Sequence, residues 1–335
     1  MPETKATPAT SPPPLSRPVP RSARRRPVEV GGLLLALLLL PWLVSKPLAT
    51  EIVIFGLFAM GFNLLLGYTG VLSFGHAMYF GTGAYSAGMS LRYCSLGVGS
   101  SLAVAVLIGT LLAGLVGVAS LKKRGVYFAM ISMAFAQMVY FMALTPLARW
   151  TGGEDGLKFI PKLYLEFPWK VDLTNNLYLY YFVLLVAGLS LLAIYRIIDS
   201  PFGHALRAVR ENEDRISACG YDTLRLKILS LIFSGGFSAL AGGLYTVYLG
   251  YVPVSVLFWL LSGSILMMTL LGGTKVFVGP IVGVAVFLFL QNTISLYTDR
   301  WQFFVGVLFM LIVMAFPDGI MGTLQKRLAS RRRSR

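Results

Sequence analysis

Charged residues are scarce in this sequence, and their scarcity excludes an ordinary water-soluble protein. Only 13% of the 335 residues are charged and 56% are hydrophobic, whereas a typical soluble domain has roughly 25% charged residues. A single globular core stops growing at about 250 to 300 residues, so a soluble fold could not bury this much apolar surface. We therefore expect the lipid bilayer to surround most of the chain.

Cysteine is nearly absent as well. The two cysteines, Cys94 and Cys219, lie far apart in the sequence and, in the topology predicted below, on opposite sides of the membrane. This arrangement indicates neither a disulfide framework nor a metal site, and we predict no cofactor.

What the chain does contain is a series of long apolar segments. A helix of about 20 residues crosses a hydrocarbon core of roughly 30 Å. Of these segments, 70–91 is rich in glycine and is also compatible with a broken or re-entrant helix. The prediction is an all-α, polytopic integral membrane protein of about ten transmembrane helices, near 30–48, 51–68, 70–91, 98–121, 126–147, 176–195, 228–249, 254–273, 276–297 and 301–320.

The distribution of basic residues predicts the orientation, because short loops that stay in the cytoplasm hold the excess of Lys and Arg. With both termini in the cytoplasm, the inner segments contain 22 of the 29 basic residues. The net charge of +15 is thus spread between apolar segments and does not indicate a nucleic-acid partner.

The chain divides into a transmembrane domain, 30–325, and two basic cytoplasmic tails. Residues 1–29 are rich in Pro, Ser and Arg and are predicted to be disordered, and 326–335 form the second tail. The first apolar helix runs to Pro47 without a convincing cleavage site, so we expect it to be retained.

Two loops are large enough for a function of their own. The external loop, 148–175, balances acidic and basic residues and is either a landing surface for a partner or a solvated connector. The cytoplasmic loop, 196–227, contains a predicted amphipathic helix, 205–219, which Gly220 ends. That helix suits either the groove of a partner protein or the membrane surface.

Chemistry inside the membrane is sparse. No Asp, Glu, Lys or Arg falls at the centre of a predicted span, although ion-coupled carriers and intramembrane hydrolases need such groups. The sequence at 272–275 lacks the spacing of an ATP-binding P-loop, so we predict that the chain is not an enzyme. It is either a passive pore or a subunit driven by a separate ATPase.

The polar residues of the spans are the candidates for a translocation path. His76 either contacts the solute or hydrogen-bonds to a neighbouring helix, and Gln291 and Asn292 are alternatively interhelical contacts. The candidate path residues are Asn63, Ser73, His76, Tyr85, Gln291 and Asn292.

Three blocks of sequence resemble one known family. Gly61–Gly88, GFNLLLGYTGVLSFGHAMYFGTGAYSAG, is similar to the N-terminal signature of the LivM-type permeases of branched-chain amino acid ABC importers. Ser200–Gly220 resembles the cytoplasmic coupling loop of that family, and 242–283 resembles its closing helices. Two departures are Lys275, where the family usually has glycine, and His204, where arginine is common.

The resemblance implies a permease subunit in the cell inner membrane that carries branched-chain or similar amino acids. It implies as partners a second related permease, two ABC ATPase subunits and a periplasmic binding protein that delivers the solute. An autonomous channel or facilitator for urea or amides is the alternative. The residues implied in ATPase coupling are Arg207, Arg210, Glu211, Glu213, Asp214 and Gly220.

Overall fold

The structure is a computed structural model that describes residues 26–123, 125–158, 160, 164–165, 171–172, 175–298, 300–316 and 318–333. Most of the predicted N-terminal tail and much of the predicted external loop therefore lie outside the described residues. Within the described part, the first helix begins at Arg26, and residues 326–333 of the predicted C-terminal tail are helical.

Helices account for almost all of the regular structure. They are α1 Arg26–Leu43, α2 Lys46–Asn63, α3 His76–Tyr93, α4 Val98–Ser120, α5 Val126–Leu144, α6 Ala148–Thr151, α7 Asn176–Asp199, α8 Pro201–Glu211, α9 Glu213–Ala218, α10 Thr223–Leu249, α11 Trp259–Gly272, α12 Gly279–Ser295, α13 Trp301–Ala315 and α14 Gly319–Arg333. A π-helical turn, Leu64–Thr69, continues α2, and short 3-10 turns occur at Gly153–Asp155 and Val254–Leu257. Two-residue strands, β1 Tyr164–Leu165 and β2 Val171–Asp172, pair antiparallel.

The prediction of an all-α membrane protein is confirmed, and each of the ten predicted segments contains a helix. Among the described residues, five helices are long and apolar enough to cross a membrane: Lys46–Thr69, Val98–Ser120, Val126–Leu144, Asn176–Asp199 and Thr223–Leu249. The helices α11, α12 and α13 have 14, 17 and 15 residues, fewer than the roughly 20 of a full span. The number of spans and the side on which the termini lie stay predictions.

The helix α3 packs mainly against α4 and α10, and the ring of its Phe80 contacts that of Phe58 in α2. The contact of α3 with α10 is a backbone contact made through glycine. A Cβ atom at Gly83 would overlap the backbone of Ala239, and one at Gly242 would overlap the carbonyl of Phe80. Because lipid tails are as apolar as leucine, membrane helices associate through such close van der Waals packing.

The connection between α2 and α3 is broken inside the protein. After the π-helical turn, Gly70 adopts a left-handed conformation (φ +78°), which costs glycine little. Residues 71–75 are not helical, and α3 begins only at His76, whose side chain is fully buried. The glycine-rich segment 70–91 therefore begins with a non-helical stretch and continues as one unbroken helix, α3; whether it forms a full span stays a prediction.

Several basic side chains gather at one end of the bundle. At this end, called the basic end below, Lys123 lines a cavity together with Arg210, and Arg210 lines another together with Lys275. There Lys275 Nζ lies 3.1 Å from a carboxylate oxygen of Asp318, and Lys326 pairs with its other oxygen. Hydrogen bonds from these two ammonium groups hold the pKa of the Asp318 carboxyl below its usual range.

The glycine contact between α3 and α10 can be tested by adding one methyl group. We expect Gly242→Ala to destabilise the detergent-solubilised protein by about 1–3 kcal/mol or more, because the new Cβ overlaps a backbone carbonyl. Gly306→Ala is the matched control, since nothing lies within 4 Å of a Cβ at Gly306 in α13. Thermal unfolding measures both, and equal midpoints would show that the close approach is not needed.

Candidate functional site

The buried start of α3 is held by hydroxyl groups from other helices. The backbone N–H of Ala77 donates to Ser262 Oγ of α11 at 2.8 Å, and that of Phe74 donates to Ser132 Oγ of α5 at 3.1 Å. The N–H of Gly75 donates to Ser73 Oγ at 3.2 Å. The first N–H groups of a helix lack partners within the helix, so these serines allow a helix to begin inside the bundle.

His76 joins α3 to α10. Its Nε2 lies 2.8 Å from Ser234 Oγ, and the Ser234 hydroxyl donates to the carbonyl of Gly61 in α2 at 2.6 Å. Since a hydroxyl has one proton to donate, Ser234 accepts from the imidazole, and Nε2 carries the hydrogen. Nδ1 is then an acceptor, and it has no hydrogen-bond partner among the residues that the structure describes.

The geometry around His76 is that of an interhelical contact. The imidazole is fully buried, and the rings of Phe62 and Tyr79 pack at right angles to it, with centroids 4.7 and 5.4 Å away. The contact agrees with the second of the two predicted roles for His76, a hydrogen bond to a neighbouring helix. A part for His76 in transport stays a prediction.

The other candidate path residues fall into two groups. Asn63 ends α2, where its Nδ2 donates to the carbonyl of Thr274 at 3.3 Å, and Ser73 and His76 lie at the α2–α3 break. Tyr85 is buried further along α3, and its hydroxyl finds no partner within the described part of the chain. Gln291 and Asn292 lie apart from these four on α12, the first partly exposed and the second exposed.

The predicted single helix 205–219 is wrong in its bounds, because the loop forms two helices. The first, α8, begins at Pro201 rather than Ala205, since Ser200 caps it and proline fits the first turn, where its missing N–H is not needed. Asn212 is extended (φ −160°) and accepts from the N–H of Arg215, so it separates α8 from α9. Gly220 follows α9 with φ +88°, as expected for a glycine that ends a helix.

Two arginines of α8 point back into the bundle. The guanidinium of Arg210 donates to the carbonyl of Gly67 in the π-helical turn, and its stem fills the space beside Gly70. Arg207 donates to the carbonyl of Ile198 at 3.0 Å and lies 5.3 Å from the ring centroid of Tyr68. Both arginines therefore attach α8 to α7 and to the end of α2.

Glu213 also faces inward. Its carboxylate lies 2.6 Å from Lys227 Nζ of α10, and the two side chains are only 20% and 10% exposed. Thr223 donates a further hydrogen bond to the same carboxylate oxygen at 3.2 Å. The remaining predicted coupling residues, Glu211, Asp214 and Gly220, lie on the exposed surface of the loop.

Sequence reasoning missed the partners of these side chains. Ser234 and Lys227 lie on α10, and Gly67 lies in the π-helical turn. Lys227 carries the one usable signal, since a lysine at the start of a long apolar helix is a candidate partner for an acidic residue in the adjoining loop. A serine in an apolar span carries no such signal.

Comparison with known proteins gives one family. Residues 47–314 match the family described as branched-chain amino acid transport system / permease component. The chain is 26% identical to the high-affinity branched-chain amino acid transport system permease protein LivM of Salmonella typhimurium, over 86% of this chain and 73% of that protein. It is 27% identical to the protein of the same name from Escherichia coli, over 88% of this chain and 76% of that protein.

A more distant relative is the autoinducer 2 import system permease protein LsrC of Salmonella choleraesuis. It is 25% identical over 44% of this chain and 44% of that protein. No solved structure matches the chain significantly.

The hydrogen bond between His76 and Ser234 can be tested by removing its acceptor. We expect Ser234→Ala to lower the free energy of unfolding by about 1–3 kcal/mol, because the buried imidazole N–H is left without an acceptor. Thermal unfolding in detergent is the measurement. Ser264→Ala, which removes a hydroxyl bonded only to the carbonyl of Leu260 in its own helix, is the control.

A second substitution separates the hydrogen bond from loss of packing. Replacing both partners by apolar groups of similar shape removes the unpaired donor, so His76→Leu combined with Ser234→Ala should recover part of the loss. A double variant no more stable than Ser234→Ala alone would contradict this interpretation.

Proposed function

Because the chain belongs to the family of branched-chain amino acid transport system permease components, we propose that it is one transmembrane subunit of an ATP-driven importer. A second, related permease completes the translocation path, and two ABC ATPase subunits bind the basic end. A periplasmic binding protein delivers branched-chain or similar amino acids to the opposite end. In this proposal the membrane is the cell inner membrane, with both termini of the chain in the cytoplasm.

The observation that supports ATP-driven transport is that α8 and α9 are bonded to the bundle through some side chains and expose others. Arg207, Arg210 and Glu213 bind α7, the π-helical turn at the end of α2, and α10. Glu211 and Asp214 face outward. A helix lying on a membrane surface would not need such specific anchors to three helices, whereas a helix that transmits motion from a partner protein would.

The hydrogen bonds of α8 to the bundle can transmit a movement of α8 to the helices. Displacement of α8 pulls on the carbonyl of Gly67 through Arg210, next to the left-handed Gly70 that begins the α2–α3 break. The break leads directly to the buried start of α3. We propose that closure of the ATPases on ATP moves α8, and that this movement reaches α3 through the π-helical turn.

The opposite end offers a rigid surface for the binding protein. Leu157 pairs with Val252 by backbone hydrogen bonds, 2.9 Å in each direction. Arg92 at the end of α3 donates to the carbonyl of Lys158 at 2.8 Å. These contacts tie Leu157 and Lys158 of the external loop to the connection after α10 and to α3, so a protein bound at these residues would lie beside α3.

Affinity purification tests the assembly. The tagged chain is purified from detergent-solubilised native membranes, and the proteins that accompany it are identified by mass spectrometry. A second permease and ABC ATPases are the expected partners. A chain that purifies alone, and that passes amino acids or urea in liposomes without ATP, would instead be a channel or facilitator.

The link through Arg210 has its own test in the reconstituted complex. We expect Arg210→Ala to lower both leucine uptake and leucine-stimulated ATP hydrolysis by about tenfold, because the charge-assisted hydrogen bond to the carbonyl of Gly67 is lost, and such a bond contributes about 1.5–3 kcal/mol. Arg225→Ala is the matched control, since Arg225 pairs with Asp222 at the surface and is 83% exposed. Equal activity of the two variants, at equal amounts of assembled complex, would refute the link.

A further inference from the structure

A cavity of about 860 Å³ lies between α2, α11, α12 and α13. Cavities that bind small molecules commonly measure about 300–1,000 Å³, so the size suits an amino acid with room for water. The cavity contains Gln291, one of the candidate path residues. Of the residues that line it, only Phe74 also lines a cavity at the basic end.

Polar side chains gather at the mouth of the cavity, away from the basic end. Glu51 is in the second turn of α2, Gln302 is the second residue of α13, and Gln291 is one turn before the end of α12. An adjoining cavity of about 200 Å³ shares Glu51 and Gln291 and adds Asn292 and Ser295. The mouth is therefore a polar region built from three helices.

The deeper part of the cavity is apolar. Met267 lies eight residues beyond Trp259 at the start of α11, or about 12 Å along the helix axis at about 1.5 Å per residue. Phe55, one turn after Glu51 on α2, and Phe74 also line the cavity. Phe74 belongs to the non-helical segment before α3, so the cavity reaches the α2–α3 break.

Glu51 gives the mouth a negative charge. Its side chain is half-buried, and its neighbour is the Tyr248 hydroxyl, 3.4 Å from Oε1. In the part of the chain that the structure describes, no basic side chain lies within 4 Å of the Glu51 carboxylate. A partly buried carboxylate without a cationic neighbour favours a ligand that carries one.

We propose that this cavity binds the transported amino acid, with its ammonium group at Glu51 and its aliphatic side chain against Phe55 and Met267. The side-chain amides of Gln291 and Gln302 each have two N–H donors and receive the amino acid's carboxylate. The inference rests on the proposed function, since it names the site in this chain at which the imported solute binds.

The polarity of the cavity predicts which ligands it accepts. An aliphatic amino acid satisfies both the polar mouth and the apolar interior, whereas 4-methylpentanoate is leucine without the amino group and offers nothing to Glu51. A ligand with a charged side chain would place that charge among aromatic and methionine side chains, which is costly. The cavity therefore selects for an ammonium group together with an apolar side chain.

Protection of an introduced cysteine tests the site directly. Ser264→Cys places a thiol on the cavity wall, in a background with the exposed Cys94 and Cys219 replaced by serine. The purified complex is labelled in nanodiscs with a water-soluble methanethiosulfonate. We expect millimolar leucine to slow the labelling about tenfold, as for a site that mass action keeps about 90% occupied, and 4-methylpentanoate to have no effect.

Two matched controls accompany the measurement. Ser100→Cys places the thiol on the exposed start of α4, where leucine should not protect it. Glu51→Gln should raise the leucine concentration for half-protection about tenfold, the effect expected for one lost charge-assisted hydrogen bond. Asp155→Asn removes an exposed carboxylate outside the cavity and should leave that concentration unchanged.

Leucine uptake by the same complex separates this inference from the proposed function. Leucine protection without ATP-driven uptake would support the site and refute the importer. Uptake without protection would refute the site and leave the importer in place. A thiol at 264 that reacts in the isolated chain but not in the complex would show that a partner subunit fills the cavity, which also refutes the site.

Discussion

The rest of the structure depends on one constraint, which is that a backbone N–H buried in the membrane needs a hydrogen-bond acceptor inside the protein. The helix α3 begins inside the bundle, where water cannot serve as that acceptor. Ser132 and Ser262 supply hydroxyl oxygens from α5 and α11, and His76 bonds to Ser234 of α10. These contacts fix α3 relative to three helices, so the break between α2 and α3 is a specific structure rather than a disordered interruption.

The same break connects the centre of the bundle to its basic end. Arg210 bonds to the carbonyl of Gly67, and the mostly buried pair of Glu213 and Lys227 attaches α9 to α10. Removing one partner of such a buried pair is costly, because the other charge is left unpaired. The loop of α8 and α9 therefore cannot move far without moving the helices beneath it, which is the property that coupling to an external ATPase requires.

Hydropathy predicted the positions of the helices well, because burial in lipid demands long apolar runs whatever the tertiary contacts. It could not predict where α8 ends, since the break at Asn212 depends on a side chain capping the next helix within a run of helix-forming residues. It also could not assign Arg207 and Arg210 to hydrogen bonds with the bundle, because the sequence does not show whether an arginine on an amphipathic helix binds a partner protein or a backbone carbonyl. The Ser-Phe-Gly-His sequence at 73–76 was recognisable as a motif, but its partners at 132, 234 and 262 are serines without a distinctive sequence signal.

The packing of the glycines restricts how the bundle can change shape. At Gly83 and Gly242 the backbones of α3 and α10 are in contact, and the bond between His76 and Ser234 joins the same two helices. Sliding one of these helices past the other would drive Cβ atoms and carbonyls into each other, so α3 and α10 should move together as one body.

The residues able to absorb a relative motion are then those of the π-helical turn and the non-helical segment 71–75. That segment includes Phe74, which contacts both the proposed amino-acid cavity and, through its N–H, the serine of α5 that holds α3 in place. A motion applied at α8 would thus reach the floor of the cavity before it altered the central pair of helices.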